Sequence, residues 1–257
     1  MKRIYPFLLV FVLFLFTIAE AQQADSLSVD EIVKMARESR QKQREYVKDY
    51  ACVCVEEMKI LDKEGKIEHT EVMKKKVYVK GEITHDEIVS IQKKDEVLSE
   101  KEIGKRQKEV DKQEKKRSEE KDSESISPFE KKGEGKFDFD LVREDSLQGK
   151  TVYVVSVNPK EKSKGLLKGL YWIDKDNFRI LKSELEPSKN PKFVKEMKMT
   201  IEFAEVEKGV FVLKTFKVRG RGGFLFFKSN FEVERTCQDY RLNVGLEDSV
   251  FPELEAE

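Results

Sequence analysis

The chain has 257 residues, of which 50 are basic and 50 are acidic, so its formal net charge is zero. Nucleic-acid-binding proteins usually carry a basic excess on one face, because neutralised phosphates supply much of their affinity. The sequence contains no such block, and we expect no nucleic-acid partner. Charged residues make up 39% of the chain against a usual ~25%, which predicts one folded domain with a polar insert.

The first 21 residues have the composition of a secretory signal peptide. Lys2 and Arg3 precede an apolar run over residues 6–18, and Ala-Glu-Ala follows at 19–21. The run is shorter than the ~18 residues that a membrane-spanning helix needs, and small side chains suit a signal peptidase. We therefore expect a cleaved signal peptide at 1–21 and a soluble periplasmic domain at 22–257, with an uncleaved membrane anchor as the alternative.

Three cysteines bear on the redox state of the protein: Cys52, Cys54 and Cys237. An exported compartment permits disulfides, and an odd count leaves at least one cysteine without a partner in the chain. Cys52 and Cys54 lie two apart on a predicted strand, where their Cα atoms would be ~6.6 Å apart, at the limit for bridging. The geometry favours a bond from Cys52 or Cys54 to Cys237, with three buried thiols as the alternative.

The clearest predicted element is a helix from Ser28 to Tyr50. Ser28 and Glu31 form a capping-box pattern, which marks a helix start. Apolar residues recur near one stripe at a spacing of 3.6, so the helix should lie across an apolar surface. From Ala51 the period changes to two, and three meandering strands are predicted over 51–61, 67–80 and 83–91.

A charged insert is predicted at 93–135. In its first part, residues 93–122, 21 of 30 residues are charged. Oppositely charged pairs four residues apart favour a solvated helix, but the apolar positions are too sparse to bury it firmly. We interpret this part as mobile, helical or disordered, and residues 122–135 as a linker.

After the insert, strand patterns continue almost to the end of the chain. A compact hairpin is predicted around the turn at 174–177, and the glycines at 220, 222 and 223 predict a sharp bend before a last strand over 224–242. About ten strands joined by short links favour a mainly β fold with a single large curved antiparallel sheet, an open or half barrel.

The inventory of catalytic residues is thin. His69 and His85 are the only histidines; both are predicted on neighbouring strands, without Cys, Asp or Glu at metal-ligand spacing, and are interpreted as surface residues. No nucleophile elbow, zinc motif or phosphate-binding loop is present. The sequence therefore predicts no enzyme, no catalytic residue, no metal site and no cofactor.

The C-terminal strands are rich in aromatic residues and methionine. A well-packed barrel would use such side chains as core, whereas an incompletely filled sheet would leave an apolar cavity for acyl chains. In the second case we expect the lipid-binding residues to be Trp172, Met197, Met199, Ile201, Phe203, Phe211, Phe216, Phe227 and Phe231.

The order of elements, with Trp-Ile-Asp at 172–174, its tight turn and the closing segment at 240–251, resembles the outer-membrane lipoprotein carrier (LolA/LolB-like) superfamily. The resemblance implies an open sheet that encloses an apolar cavity and shields the acyl chains of lipoproteins or lipids without any enzymatic step. It implies release of the cargo toward the outer membrane, an inner-membrane donor and an outer-membrane acceptor. The alternative is a regulatory or interaction module that senses envelope lipids or lipoproteins.

Overall fold

The structure is a computed structural model that describes residues 27–62, 64–119, 126–163, 165–190, 194–224, 227–228 and 230–251. The predicted signal peptide at 1–21 lies outside these residues. Within them, no helix combines the length and the apolar character needed to cross a membrane.

The described residues form two α-helices and twelve strands. The helices are α1 (Val29–Tyr46) and α2 (Glu100–Glu119). The strands are β1 (Asp49–Leu61), β2 (Ile67–Lys80), β3 (Ile83–Lys93), β4 (Glu96–Val97), β5 (Phe137–Leu147), β6 (Lys150–Pro159), β7 (Leu167–Asp174), β8 (Ile180–Pro187), β9 (Val194–Glu207), β10 (Val210–Phe224), β11 (Phe227–Lys228) and β12 (Asn230–Leu242).

All twelve strands belong to one sheet. Its order is β4-β3-β2-β1-β12-β10-β9-β8-β7-β6-β5, with β11 paired to β10. The two outer strands of this order do not pair, so the sheet is open. Neighbouring strands are antiparallel, as short connections favour. The predicted mainly β fold with one large open antiparallel sheet is confirmed.

Helix α1 covers one face of the sheet over β5 to β9. The predicted capping box is present, with the Ser28 hydroxyl accepting a hydrogen bond from the Glu31 backbone N–H. Ile32, Val33 and Ala36 are buried against Tyr171 and the other apolar side chains of this part of the sheet. The helix ends at Tyr46 rather than the predicted Tyr50, because the chain turns extended at Val47 and enters β1.

Helix α2 contacts the sheet more firmly than the sequence predicts. Leu98, Ile103 and Val110 pack against a buried cluster on β2 and β3. The Gln107 side chain accepts a hydrogen bond from the Ile88 N–H and donates one to the Asp86 carbonyl. These two bonds satisfy a backbone N–H and a backbone C=O of β3 in the part of the strand where β4 does not pair with it.

The described part of the predicted linker at 122–135, residues 126–135, contributes to the core. Phe129 is 2% exposed and packs edge-on against Tyr171. The Pro128 carbonyl accepts two hydrogen bonds from Arg37 of α1. Residues 126–135 therefore form a strap over the sheet. The polar composition of this stretch predicts a linker, and burial of its single aromatic residue, Phe129, accounts for the difference.

The predicted bend at the glycines 220–223 is also wrong in detail. Strand β10 continues through Gly220 to Phe224 before the chain turns back. A Cβ atom on Gly220 would overlap the Phe231 ring of the neighbouring strand. The glycine at 220 therefore serves close packing of an aromatic ring rather than a turn.

Candidate functional site

Eight apolar side chains form a continuous surface in the middle of the sheet, on the face that also carries both helices. One row runs Met58, Val233, Val218, Met199 across β1, β12, β10 and β9, and the next runs Ile60, Phe231, Gly220, Met197. Side chains on directly paired residues point to the same face. We call the following residues the apolar groove: Met58, Ile60, Met197, Met199, Phe216, Val218, Phe231 and Val233.

The strand order explains why the groove lies between the two helices. Helix α1 packs on the sheet from β5 to β9, and its core reaches Met199 and Ile201. Helix α2 packs on Met73 of β2 and on β3. Met73 pairs with Glu56 of β1, and Glu56 pairs with Arg235, which pairs with Phe216. Met73 and Phe216 therefore point to the same face of the sheet. All eight side chains of the groove are half-buried.

The opposite face of the same strands is charged. Ion pairs join Lys217 to Glu234 and Arg219 to Glu232 across β10 and β12. Their side chains are solvent-exposed to between 38% and 74%. In this region apolar and charged side chains therefore alternate along each strand, as in a sheet with one apolar face and one solvent-exposed face.

A buried ion network borders the groove in the next row. Arg235 donates a hydrogen bond to Glu56 at 2.8 Å and one to Asp86 at 2.9 Å, and Lys75 lies 3.2 Å from Glu56 and 3.3 Å from Asp86. The four side chains are between 6% and 23% exposed. Two cations therefore balance two anions, which is the condition for keeping such charges buried.

The groove also meets a carboxylate on the side of α2. Glu71 pairs with Met58 across β1 and β2, and its side chain is 6% exposed. One of its oxygens lies 3.2 Å from Lys93 Nζ, and the other lies 3.9 Å from Arg106 and accepts no hydrogen bond from the described residues. The groove therefore ends at a polar cluster of one acidic and two basic side chains.

The predicted lipid-binding residues divide into four groups. Met197, Met199, Ile201, Phe216 and Phe231 share the face of the apolar groove. Trp172 lies on the opposite face from Tyr171 and Ile173 and packs with Val152 and Val154. The side chain of Phe227 lies outside the described residues.

The remaining two, Phe203 and Phe211, belong to a filled part of the structure. They pack with the Trp172 cluster and line a cleft of about 70 Å³ beneath Arg40 and Gln43 of α1. Pockets that enclose small organic ligands usually measure ~300–1,000 Å³. The cleft under α1 is thus too small for an acyl chain.

The structure joins Cys54 of β1 to Cys237 of β12 by a disulfide and leaves Cys52 as a buried thiol. The Cys52 sulfur lies 3.7 Å from that of Cys54. Burial raises the pKa of the Cys52 thiol to about 11, so it stays protonated and unreactive at neutral pH.

Several residues near the groove were not singled out from the sequence. Met58, Ile60, Val218 and Val233 read as ordinary strand positions, and only the pairing register brings them beside the methionines of β9. His85, interpreted as a surface residue, is 8% exposed and contacts Glu114 of α2. Its partner is 29 residues away in the chain, so spacing alone could not reveal the contact.

Comparison with solved structures finds likenesses of low sequence identity. A DUF1329 family protein from Desulfovibrio piger is 13% identical, with 90% of this chain and 100% of that chain covered and a TM-score of 0.49. A LolA superfamily protein from Nitrosomonas europaea is 15% identical, with coverages of 88% and 98% and a TM-score of 0.37. The Pseudomonas aeruginosa MucA/MucB complex contains a chain that is 10% identical, with coverages of 84% and 96% and a TM-score of 0.25.

The structural likenesses include the superfamily that the order of elements resembles. No curated protein matches the sequence. One family model, described as a family of unknown function, matches residues 21–240, which is most of the chain. The chain therefore belongs to the DUF5686 family.

Proposed function

We propose that this protein is a periplasmic carrier that binds the acyl chains of lipids or lipoproteins in the apolar groove. The observation that carries the proposal is the groove itself, in which half-buried methionine, phenylalanine and branched side chains line one face of an open sheet between two helices. Methionine and phenylalanine adapt to disordered hydrocarbon. Binding then involves no catalytic step.

Transfer of the cargo would rest on differences in affinity. An acceptor that binds the acyl chain better than the groove does would draw the cargo onward, since a carrier without an energy source can only follow such a gradient. An open sheet favours this exchange because the chain can leave sideways, without threading through a closed barrel. An inner-membrane donor and an outer-membrane acceptor are the partners that the proposal requires.

The proposal is tested by measuring lipid binding in paired variants. The probe is a fluorescent fatty acid that phospholipid displaces, and native mass spectrometry of the purified protein reports co-purified lipid and its stoichiometry. Val218→Asp places a charge in the groove and should weaken binding of the probe at least tenfold, because burying a carboxylate against an acyl chain is unfavourable. Val55→Asp is the matched control, since Val55 is already 41% exposed and alternates with the groove-facing side of β1.

Circular dichroism separates loss of binding from loss of folding. Equal binding by Val218→Asp and Val55→Asp, with both variants folded, would contradict the proposal. If lipid is absent but the protein forms a stable complex with a membrane-protein partner, the sensing or regulatory alternative is supported instead.

A further inference from the structure

A cluster of three ligand-type side chains lies where α2 meets strand β3, apart from the apolar groove. It consists of His85 on β3 and of Asp111 and Glu114 on α2. One donor atom of each residue lies within 4.8 Å of the other two, and the His85 Nδ1 atom lies 3.0 Å from Glu114 Oε2. A tetrahedral zinc ion with bonds of ~2.1 Å spaces its ligands about 3.4 Å apart, so the donors need only small shifts.

The three side chains are held in place by a second layer of contacts. Gln107 donates to Asp111 Oδ1 at 2.7 Å, and is itself fixed by two backbone hydrogen bonds to β3. The other Glu114 oxygen accepts the Asp86 backbone N–H at 3.0 Å. The His85 ring stacks on Tyr78 with their ring planes 12° apart. Such outer contacts orient the ligands of metal sites in proteins.

The charge of the cluster suits a dication. Asp111 and Glu114 contact an amide side chain, a backbone N–H and the imidazole, so two carboxylates and one imidazole lie together. The nearby Asp86 carboxylate is instead paired with Lys75 and Arg235. One imidazole nitrogen and two carboxylate oxygens form a donor set typical of zinc or a similar first-row metal, with further positions open to water.

We propose that His85, Asp111 and Glu114 form a binding site for a divalent transition metal, with zinc as the fitting ion. The ion would link β3 to the middle of α2, which otherwise contacts the sheet through few apolar side chains. Metal binding would thereby fix the helix that stands on one side of the apolar groove. The inference depends only on the contact between α2 and β3, and holds whether or not the groove binds lipid.

The experiment titrates the purified, untagged and metal-free protein with Zn²⁺ by calorimetry. Cobalt absorption spectra and the hydrogen exchange of α2 are measured in parallel. We expect one ion per chain and slower amide exchange in α2 when the ion is bound. Asp111→Asn keeps the shape of the side chain and leaves the His85–Glu114 contact in place, and it should weaken zinc binding at least tenfold, as should His85→Ala.

The control is His69→Ala, which removes the other histidine. His69 lies on β2, paired with Ile60 of β1, and is not a ligand of the proposed site. We therefore expect His69→Ala to bind zinc with unchanged affinity. Cys52→Ser likewise should leave the affinity unchanged and excludes binding by the thiol. The absence of stoichiometric binding to the wild-type protein, or equal affinity in Asp111→Asn, His85→Ala and His69→Ala, would overturn the inference.

Discussion

At the scale of single residues, the ion network beside the groove makes stability depend on pH. Burial opposes ionisation of Glu56, but the charges of Arg235 and Lys75 outweigh it and hold the pKa of the carboxyl below its ordinary 4.5. A carboxyl with a lowered folded pKa stabilises the protein fully above its unfolded pKa. That contribution is lost as the pH falls through 4.5 toward the folded value.

Glu56→Gln is therefore expected to lower the free energy of unfolding at pH 7 by about 2–3 kcal/mol, because it leaves the two buried cations of the network with one anion, Asp86, to share. The difference from the wild type should shrink as the pH falls below the usual range of a glutamate. Urea denaturation at pH 7 and near pH 3.5 measures both effects. Glu234→Gln is the control: its pair with Lys217 is nearly half exposed, so the cost should stay below about 1 kcal/mol. A constant difference at both pH values would contradict the linkage.

Alternation along a strand indicates which residues share a face, but not which face is covered. Met197, Met199 and Ile201 are two residues apart on β9 and share a face, as this alternation requires. It gave no means of placing Trp172, because β6 and β7 are buried on both faces and their apolar runs are nearly continuous. The contacts of His85 and Phe129 were hidden for another reason, since their partners are distant in sequence and come together only when the sheet has formed.

At the scale of elements, the two helices differ in how they are held. Three residues of α1 are fully buried, whereas α2 has no buried residue among its described side chains. Hydrogen exchange follows local opening, and elements with few buried apolar contacts open most readily. In metal-free protein we expect the amides of α2 to exchange well before those of α1.

Ile103→Asp tests this ranking. The charge removes one of the apolar contacts between α2 and the cluster of Met73, Ile88 and Ile91, so exchange in α2 should rise while the unfolding midpoint changes little. Ile32→Asp in α1 should instead unfold the whole domain, because Ile32 is fully buried in the main core. Mass spectrometry of exchanged peptides gives the comparison. A global loss of protection in Ile103→Asp would show that α2 is part of the main cooperative unit.

The positions of the first three strands and of one later hairpin could be predicted because they follow from local chemistry. The first hairpin, its third strand and the compact hairpin around the turn at 174–177 have the predicted positions within a few residues. The contact that α2 and the preceding Leu98 make with the sheet could not be predicted, since Leu98, Ile103 and Val110 are too widely spaced to suggest a buried stripe. They suffice because Met73, Ile88 and Ile91 on the sheet provide a matching apolar cluster.

At the scale of the whole molecule, the N-terminal strands β1 to β4 join the other strands of the sheet at one place, the β1–β12 pair, which we call the seam. Strand β1 pairs with β12 and thereby joins β2, β3 and β4 to the other strands. The Cys54–Cys237 disulfide crosses this seam and closes a loop with a sequence separation of 183 residues. The same two strands supply four side chains of the apolar groove, Met58, Ile60, Phe231 and Val233.

The double variant Cys54→Ser, Cys237→Ser should therefore lower the free energy of unfolding by about 2–5 kcal/mol, because the unfolded chain gains the entropy that a long closed loop denies it. Chemical denaturation under non-reducing conditions measures this change, and binding of the fluorescent fatty acid to the folded double variant shows whether the groove keeps its shape. Cys52→Ser removes the thiol and retains the bridge, so its cost should be about 1 kcal/mol or less. If both variants lose the same stability, the disulfide is not what holds the seam. If the double variant is less stable but binds the probe with unchanged affinity, the strand pairing itself is enough to shape the groove.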